Sequence, residues 1–138
     1  MTQMKVTPAK TPETEKITLN LGHVDLGHIE LLVREGFYSN RSDFIRTAIR
    51  NQIERHSETV RQIVVRKSVD LGLRQITRDD LVAAQAAGEM LDIRVLGLVV
   101  IAPDVTADLA RATISALSVL GTLHAPDAVR AALADRIS

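Results

Sequence analysis

Cysteine is absent from the sequence, which excludes disulfides and thiolate metal sites and leaves nothing that requires an oxidising compartment. Tryptophan is absent too, and Phe37, Tyr38 and Phe44 are the only aromatic residues. A core of aliphatic side chains and alanine lacks large anchors, so association between chains is a reasonable way to gain burial. No apolar run approaches about 20 residues, and the N-terminus carries no signal-peptide pattern. We therefore expect a soluble, cytoplasmic protein.

Charge is unevenly distributed although the formal net charge is zero. Residues 1–68 carry 11 Lys or Arg against 8 Asp or Glu, and residues 69–138 carry 6 against 9. A basic N-terminal half and an acidic C-terminal half fit a nucleic-acid-binding module joined to a second module.

The first segment, 1–14, contains Pro8 and Pro12, several threonines and no periodic apolar face. This composition predicts a flexible or extended arm. Lys5 and Lys10 are available to a phosphate backbone if the arm lies beside DNA, although we favour an unengaged, solvated tail.

Residues 16–21, KITLNL, alternate between polar and apolar side chains. Ile17, Leu19 and Leu21 share one face, which predicts a half-buried strand. So short a strand has no partner in its own half of the chain, and it therefore needs another copy of itself.

Two amphipathic helices are predicted after this strand. The first ends at Glu35-Gly36, where glycine suits a left-handed position just past a helix. The second begins at Asn40, an N-cap residue followed three residues later by Asp43, as in a capping-box variant. Their apolar stripes consist of Val24, Leu26, Ile29, Leu32 and Val33, and of Phe44, Ile45, Ala48, Ile49 and Ile53.

The order of KITLNL, a helix ending in EGFYSN, and NRSDFIRTAI resembles the ribbon-helix-helix transcriptional regulators of the Arc, MetJ and CopG type. The resemblance covers residues 15–56. It implies a homodimer in which two chains pair their strands into an antiparallel ribbon, with four helices interlocked beneath it. It also implies that the ribbon enters the major groove of double-stranded DNA, which is wide enough to admit it.

Carried over by position, the resemblance assigns base contacts to Lys16, Thr18 and Asn20. Lysine can donate to guanine O6 and N7, asparagine can pair with adenine, and threonine offers a hydroxyl and a methyl group. All three side chain types suit a groove-reading face.

The resemblance further implies a phosphate clamp at the start of the second helix, formed by Asn40, Arg41 and Ser42. Asn40 stands where the family usually has serine, and it caps equally well. Arg46 and Arg50 fit either phosphate contact or a solvated surface.

No catalytic or metal-binding constellation is present in the sequence, so we expect neither an enzyme nor a cofactor. His23 and His28 are five residues apart, which is poor spacing for one helix face. Some ribbon-helix-helix proteins sense nickel through a C-terminal domain, but the C-terminal half here holds one histidine, His124.

The segment 57–68 fits either a helical continuation or a connecting strand. Val60, Ile63 and Val64 have helical spacing, while Ile63-Val64-Val65 reads as a strand. We favour a helix that connects two modules.

An internal repeat follows in residues 69–138. VLG at Val95–Gly97 and Val119–Gly121 recurs after 24 residues, and APD at Ala102–Asp104 and Ala125–Asp127 after 23. Leu71-Gly72 begins a degenerate third copy one period earlier. Each unit is predicted to be a short strand, a glycine break, a proline-containing loop and a short helix.

The predicted fold class is therefore α+β, a ribbon-helix-helix followed by a small α/β domain of βα repeats. Stacked repeats, as in leucine-rich-repeat solenoids, are slightly favoured over a compact domain whose strands pair side by side. Their open end is a candidate surface for self-association beyond the dimer.

The leading functional interpretation is a sequence-specific transcriptional regulator, expected to be a repressor, with a C-terminal oligomerisation domain. Two alternatives remain open: an antitoxin whose C-terminal half binds a toxin, and a filament-forming structural protein. A small-ligand sensor is disfavoured because the C-terminal half offers few polar side chains that could converge in a pocket.

Overall fold

The computed structural model describes residues 14–138, which contain two compact units divided between Ile63 and Val64. The predicted arm at 1–14 lies outside the described residues except for Thr14. Within the described part of the chain, no helix has the length and apolar character needed to cross a membrane.

The N-terminal unit contains an unpaired extended segment and two helices, α1 at His23–Arg34 and α2 at Arg41–Arg55. The strand predicted at 16–21 is not assigned as one, because a strand requires hydrogen bonds to a neighbour and none of residues 14–138 supplies them. Every residue from Thr14 to Leu21 is exposed.

The end of α1 confirms the predicted role of Gly36. Its φ of +85° is in the left-handed region. The N–H of Gly36 donates to Val33 O at 3.1 Å, and that of Phe37 donates to Leu32 O at 3.0 Å. This pair of bonds is the Schellman arrangement, which satisfies carbonyls that the helix end leaves free.

The apolar stripes of the N-terminal unit are largely uncovered within one chain. Ile29 is its only buried residue among those described. On α2, Ile49 is 53% exposed and Ile53 62% exposed, and in the extended segment Leu19 is 65% exposed. Helices with this pattern normally gain their stability by packing the apolar face, and here much of that face is left exposed.

Residues 57–67 are helical, and this helix, α3, extends over Ser57–Lys67. His56 ends α2 as its C-cap, so α3 is a separate helix and not a continuation of α2. Ser68, with φ of +53°, ends the helical path before the first strand.

The C-terminal unit is a three-stranded parallel sheet with one helix after each strand. The strands pair in chain order, and each helix contacts the next, so the units both stack and pair side by side. The elements are β1 at Asp70–Ile76, α4 at Arg78–Ala86, β2 at Leu91–Ile101, α5 at Ala107–Thr113, β3 at Ile114–His124 and α6 at Asp127–Ala132.

The repeated glycines form a row across the sheet: Gly72 pairs with Gly97, and Gly97 with Gly121. The predicted glycine break is wrong, because β2 and β3 continue through these residues. A Cβ on Gly97 would lie 2.2 Å from Gly72 O, and one on Gly121 2.0 Å from Gly97 O. All three have positive φ, so the repeat needs glycine for backbone conformation and for close approach.

The core lies on one face of the sheet. Along β2, Ile93, Val95 and Val99 are buried and alternate with exposed or half-buried residues. The helices contribute further fully buried side chains, including Leu81 of α4 and Val129 of α6. The opposite face carries exposed leucines, among them Leu71, Leu73, Leu96 and Leu120.

Candidate nucleic-acid interface

The predicted base-contacting residues Lys16, Thr18 and Asn20 all lie in the extended segment before α1. Alternate residues of an extended chain point to opposite sides, so these three share a side that Ile17, Leu19 and Leu21 do not. The structure thus places the three predicted residues on one short, exposed stretch.

An open apolar groove lies beside this stretch and fixes which side faces the helices. Its volume is about 390 Å³. Leu19 and Leu21 line it, but Lys16, Thr18 and Asn20 do not. The remaining lining residues belong to both helices: Asp25, His28, Ile29, Phe44, Ile45, Ala48 and Ile49. The apolar side of the segment therefore faces the helices, and the polar side is turned away from the groove.

The start of α2 is organised by side-chain caps. Asn40 is confirmed as the N-cap, since its Oδ1 accepts a hydrogen bond from the N–H of Asp43 at 2.8 Å. The carboxylate of Asp43 accepts from the N–H of Ser39 at 2.9 Å, one residue earlier than a capping box would place it. Tyr38 and Phe44 pack edge to face with ring centroids 5.0 Å apart, which anchors the connector against α2.

Two backbone donors remain available at this helix start. The N–H groups of Arg41 and Ser42 are in the first turn, where no intrahelical acceptor exists, and they donate to no atom among residues 14–138. Free N–H groups and the positive end of the helix dipole together favour an anion, although Asp43 offsets part of that field.

A shallow depression of about 430 Å³ adjoins these donors. Arg41 lies within it, with Nη1 3.7 Å from Oε1 of Glu30. Both side chains are more than half exposed, so solvent screening makes the ion pair weak and exchangeable. The other lining residues are Val33, Arg34, Ser39 and Asn40. A phosphate entering here would meet two arginines and the start of α2.

A family model described as the ribbon-helix-helix transcriptional regulator family matches residues 12–130. The chain belongs to this family. No curated protein and no solved structure matches the chain.

The ribbon-helix-helix match extends well beyond residues 15–56, the part that the sequence resemblance covered. It includes β1, β2, β3 and most of α6, so the βα repeats fall within the family pattern. The match gives the protein a DNA-binding role in transcription regulation, in a family that is generally not enzymatic.

Two residues of this ribbon-helix-helix site were missed by sequence reasoning. Arg34 is in the last turn of α1, and Glu30 is one turn earlier on the same helix. Both line the depression at the start of α2, and Glu30 is the acidic partner of Arg41. The available signal was their i, i+4 spacing immediately before the turn at Gly36, which brings the end of α1 back to the start of α2.

The remaining candidate residues do not line the depression at the start of α2. Arg46 and Arg50 are exposed on α2 and form no ion pair with another described residue. His23 and His28 are exposed on α1. Within residues 14–138, no group of three or more His, Asp or Glu side chains is arranged to hold a metal ion.

Proposed function

We propose that this ribbon-helix-helix protein is a homodimeric repressor that inserts a two-stranded ribbon, one strand from each chain, into the DNA major groove. The exposed apolar groove of the N-terminal unit carries this proposal. Leu19, Leu21 and Ile49 line an open surface in which only Ile29 is buried. A second copy of the same unit has complementary stripes and would cover it, as an isologous two-fold interface requires.

Pairing into a ribbon would satisfy the backbone hydrogen bonds of the segment and would also place its side chains. An extended segment with unpaired N–H and C=O groups pairs readily with an identical segment. With Leu19 and Leu21 turned toward the helices, Lys16, Thr18 and Asn20 of both chains face the groove. Their donors, acceptors and the threonine methyl match the groups that base pairs present there.

Phosphate contacts would fix the ribbon's position on the duplex. The N–H groups of Arg41 and Ser42 donate to no atom of residues 14–138, and they lie at the start of α2, where Asn40 caps the first turn. Arg41 also lines the adjoining depression. Contacts of this type carry most of the affinity and its salt dependence, while base contacts carry specificity. We include Arg34 as a further phosphate contact.

The C-terminal unit would join DNA-bound dimers. Joining dimers on adjacent sites raises the effective local concentration without any new base contact. The unit has its own core, including Ile93, Leu117 and Leu133, all nearly or fully buried. That core supports a folded assembly domain better than the disordered toxin-binding tail of an antitoxin.

Light scattering of the purified chain and two α2 variants tests the dimer. We expect the mass of a dimer or a multiple of it for the unaltered chain. Ile49→Asp places a charge in the apolar groove, so dimers and promoter binding should both be lost. Asn51→Asp places the same charge on α2 at an exposed polar position and should leave both unchanged. A monomeric unaltered chain that still binds its promoter would overturn the proposal.

A further inference from the structure

The two edges of the C-terminal sheet differ in how far their backbone groups are paired. The β3 edge is partly covered by the end of the chain. The N–H of Leu117 donates to Arg136 O and that of Ser138 to Leu117 O, both at 2.9 Å. The outer edge of β1 pairs with no strand of residues 14–138. An uncovered edge is a template for another strand.

The direction of the outward backbone groups on β1 follows from the position of its glycine. A Cβ built on Gly97 of β2 would lie 2.2 Å from Gly72 O, so the Gly72 carbonyl points toward β2. Backbone groups of successive residues alternate between the two sides of a strand. The N–H and C=O groups of Leu71 and Leu73 therefore point outward, to the open edge.

The side chains of this edge are symmetric about Gly72. The order Asp-Leu-Gly-Leu-Arg places Leu71 and Leu73 on either side of the glycine, with Asp70 and Arg74 beyond them. We propose that β1 pairs antiparallel with β1 of a second copy of this chain, about a two-fold axis at Gly72. The proposal rests on the assembly role proposed above for the C-terminal unit and names its contact.

In this register, Leu71 lies opposite the partner's Leu73 and exchanges both backbone hydrogen bonds with it. The two leucines are each 60% exposed in the single chain and would cover one another as cross-strand neighbours. The two-fold axis repeats the contact, since an isologous interface makes every pair twice.

Charge complementarity favours a second copy over an unrelated strand. Arg74 Nη1 lies 2.9 Å from Asp70 Oδ2 across Gly72, which has no side chain to separate them. The two-fold axis places Asp70 opposite the partner's Arg74 and Arg74 opposite the partner's Asp70. Each of these charged side chains can then pair across the interface instead of with the exposed side chain on its own strand. Edges that avoid pairing are commonly blunted by charged side chains, especially lysine, whereas Asp70 and Arg74 carry opposite charges that a two-fold axis can pair.

Cysteine crosslinking of the full chain tests the register directly, because the natural chain contains no cysteine. Leu71→Cys and Leu73→Cys are made in two differently tagged chains, co-expressed and mildly oxidised. We expect a mixed covalent dimer that carries both tags. Each variant alone should crosslink poorly, because identical residues are diagonal neighbours about 7–8 Å apart. Cα atoms more than about 7 Å apart do not form a disulfide without backbone movement.

A matched control uses Leu120→Cys in place of Leu71→Cys. Leu120 is on the same sheet face and is 65% exposed, but it belongs to β3. It should give no mixed product with Leu73→Cys. Equal crosslinking through Leu120 would indicate random collision or face-to-face packing, and would overturn the proposed edge.

Swapping the charges at positions 70 and 74 distinguishes an ion pair across the interface from an ion pair within one strand. The double variant Asp70→Arg with Arg74→Asp keeps an ion pair within its own chain. When it is added to only one of the two crosslinking chains, like charges are opposed at both positions. Most of the mixed product of Leu71→Cys with Leu73→Cys should then be lost. When both chains carry the double variant, the product should return. An unchanged yield in the combined pair would overturn the proposal.

DNA binding of the same chains keeps this inference separate from the proposed function. Crosslinking without DNA binding supports the β1 contact and counts against the regulator. DNA binding without the mixed product overturns the β1 contact alone. A mixed product that appears only after removal of residues 1–13 would show that the arm occupies the edge, which also overturns it.

Discussion

Arg41 Nη1 lies 3.7 Å from Glu30 Oε1, so the arginine at the start of α2 pairs with an acid of the preceding helix. The same depression contains Arg34 and the N-cap Asn40. In the proposed phosphate clamp, Glu30 would therefore compete with phosphate for Arg41.

Glu30→Gln should strengthen binding to all DNA sequences, because it removes this competing charge and leaves the helix intact. Fluorescence anisotropy with a specific and a random duplex measures the change, which we expect to be similar for both. Glu54→Gln removes an equal charge near the end of α2, away from the depression, and should have a smaller effect. If the two variants behave alike, Glu30 acts only through net charge.

Arg41→Ala should weaken binding to every duplex and reduce the slope of log affinity against log salt by about 2, because a homodimer loses one phosphate contact in each chain and each contact contributes about 0.9. Measurement across a salt series gives the slope. Arg55→Ala, in the last turn of α2, is the matched control. A slope that stays the same in Arg41→Ala would remove this residue from the phosphate clamp.

Local signals in the N-terminal unit were readable from the sequence because they depend on neighbouring residues. Gly36 and Asn40 act within one or two helical turns, and both are confirmed as a left-handed residue and an N-cap. The strand at 16–21 was not observable in one chain for the opposite reason. Its proposed hydrogen-bond partner belongs to a second chain, and the sequence shows only the alternation of its side chains.

The repeated glycines show that periodicity alone does not predict the structural role of a residue. The spacing of Gly97 and Gly121 identified two units, and Gly72 pointed to the third. The predicted break in each strand is wrong: glycine commonly interrupts a strand, whereas here it lies within one. The cause is the carbonyl of the adjacent strand, at 2.2 Å from a Cβ on Gly97, and such a contact becomes visible only when register is known.

Gly97→Ala should destabilise the C-terminal unit by more than the roughly 1–3 kcal/mol that a strained backbone conformation costs, because backbone must also move. Urea unfolding followed by circular dichroism measures the loss. Gly72→Ala is the control, since Gly72 also has positive φ but a Cβ there meets no atom of residues 14–138 within 4 Å. Its loss should be smaller, and equal losses would show that the contact with Gly72 O has no effect.

Asp135→Asn should lower the stability of the C-terminal unit at neutral pH. Hydrogen bonds from the Arg111 guanidinium, at 2.7 and 3.2 Å, hold the pKa of Asp135 below its ordinary value. A carboxyl with a depressed pKa in the folded state stabilises above its unfolded pKa of about 3.9, and loses this effect as pH falls through the folded pKa.

Thermal unfolding of the Asp135→Asn variant and the natural chain over a pH series provides the check. The difference between them should be largest near neutral pH and should narrow as the medium is acidified. Asp104→Asn is the control, because Asp104 is exposed and forms no ion pair with another described residue. A difference that is independent of pH would mean that Asp135 does not act through its charge.

Selection from a pool of random-sequence duplexes tests the two-fold DNA-reading ribbon most directly. The natural chain should enrich an inverted repeat, since two identical strands read two half-sites. Asn20→Ala and Lys16→Ala should each relax the preference at defined positions, by about 1–3 kcal/mol for each lost base contact. Enrichment of no sequence, or of the same sequence with equal preference by all three proteins, would contradict the account.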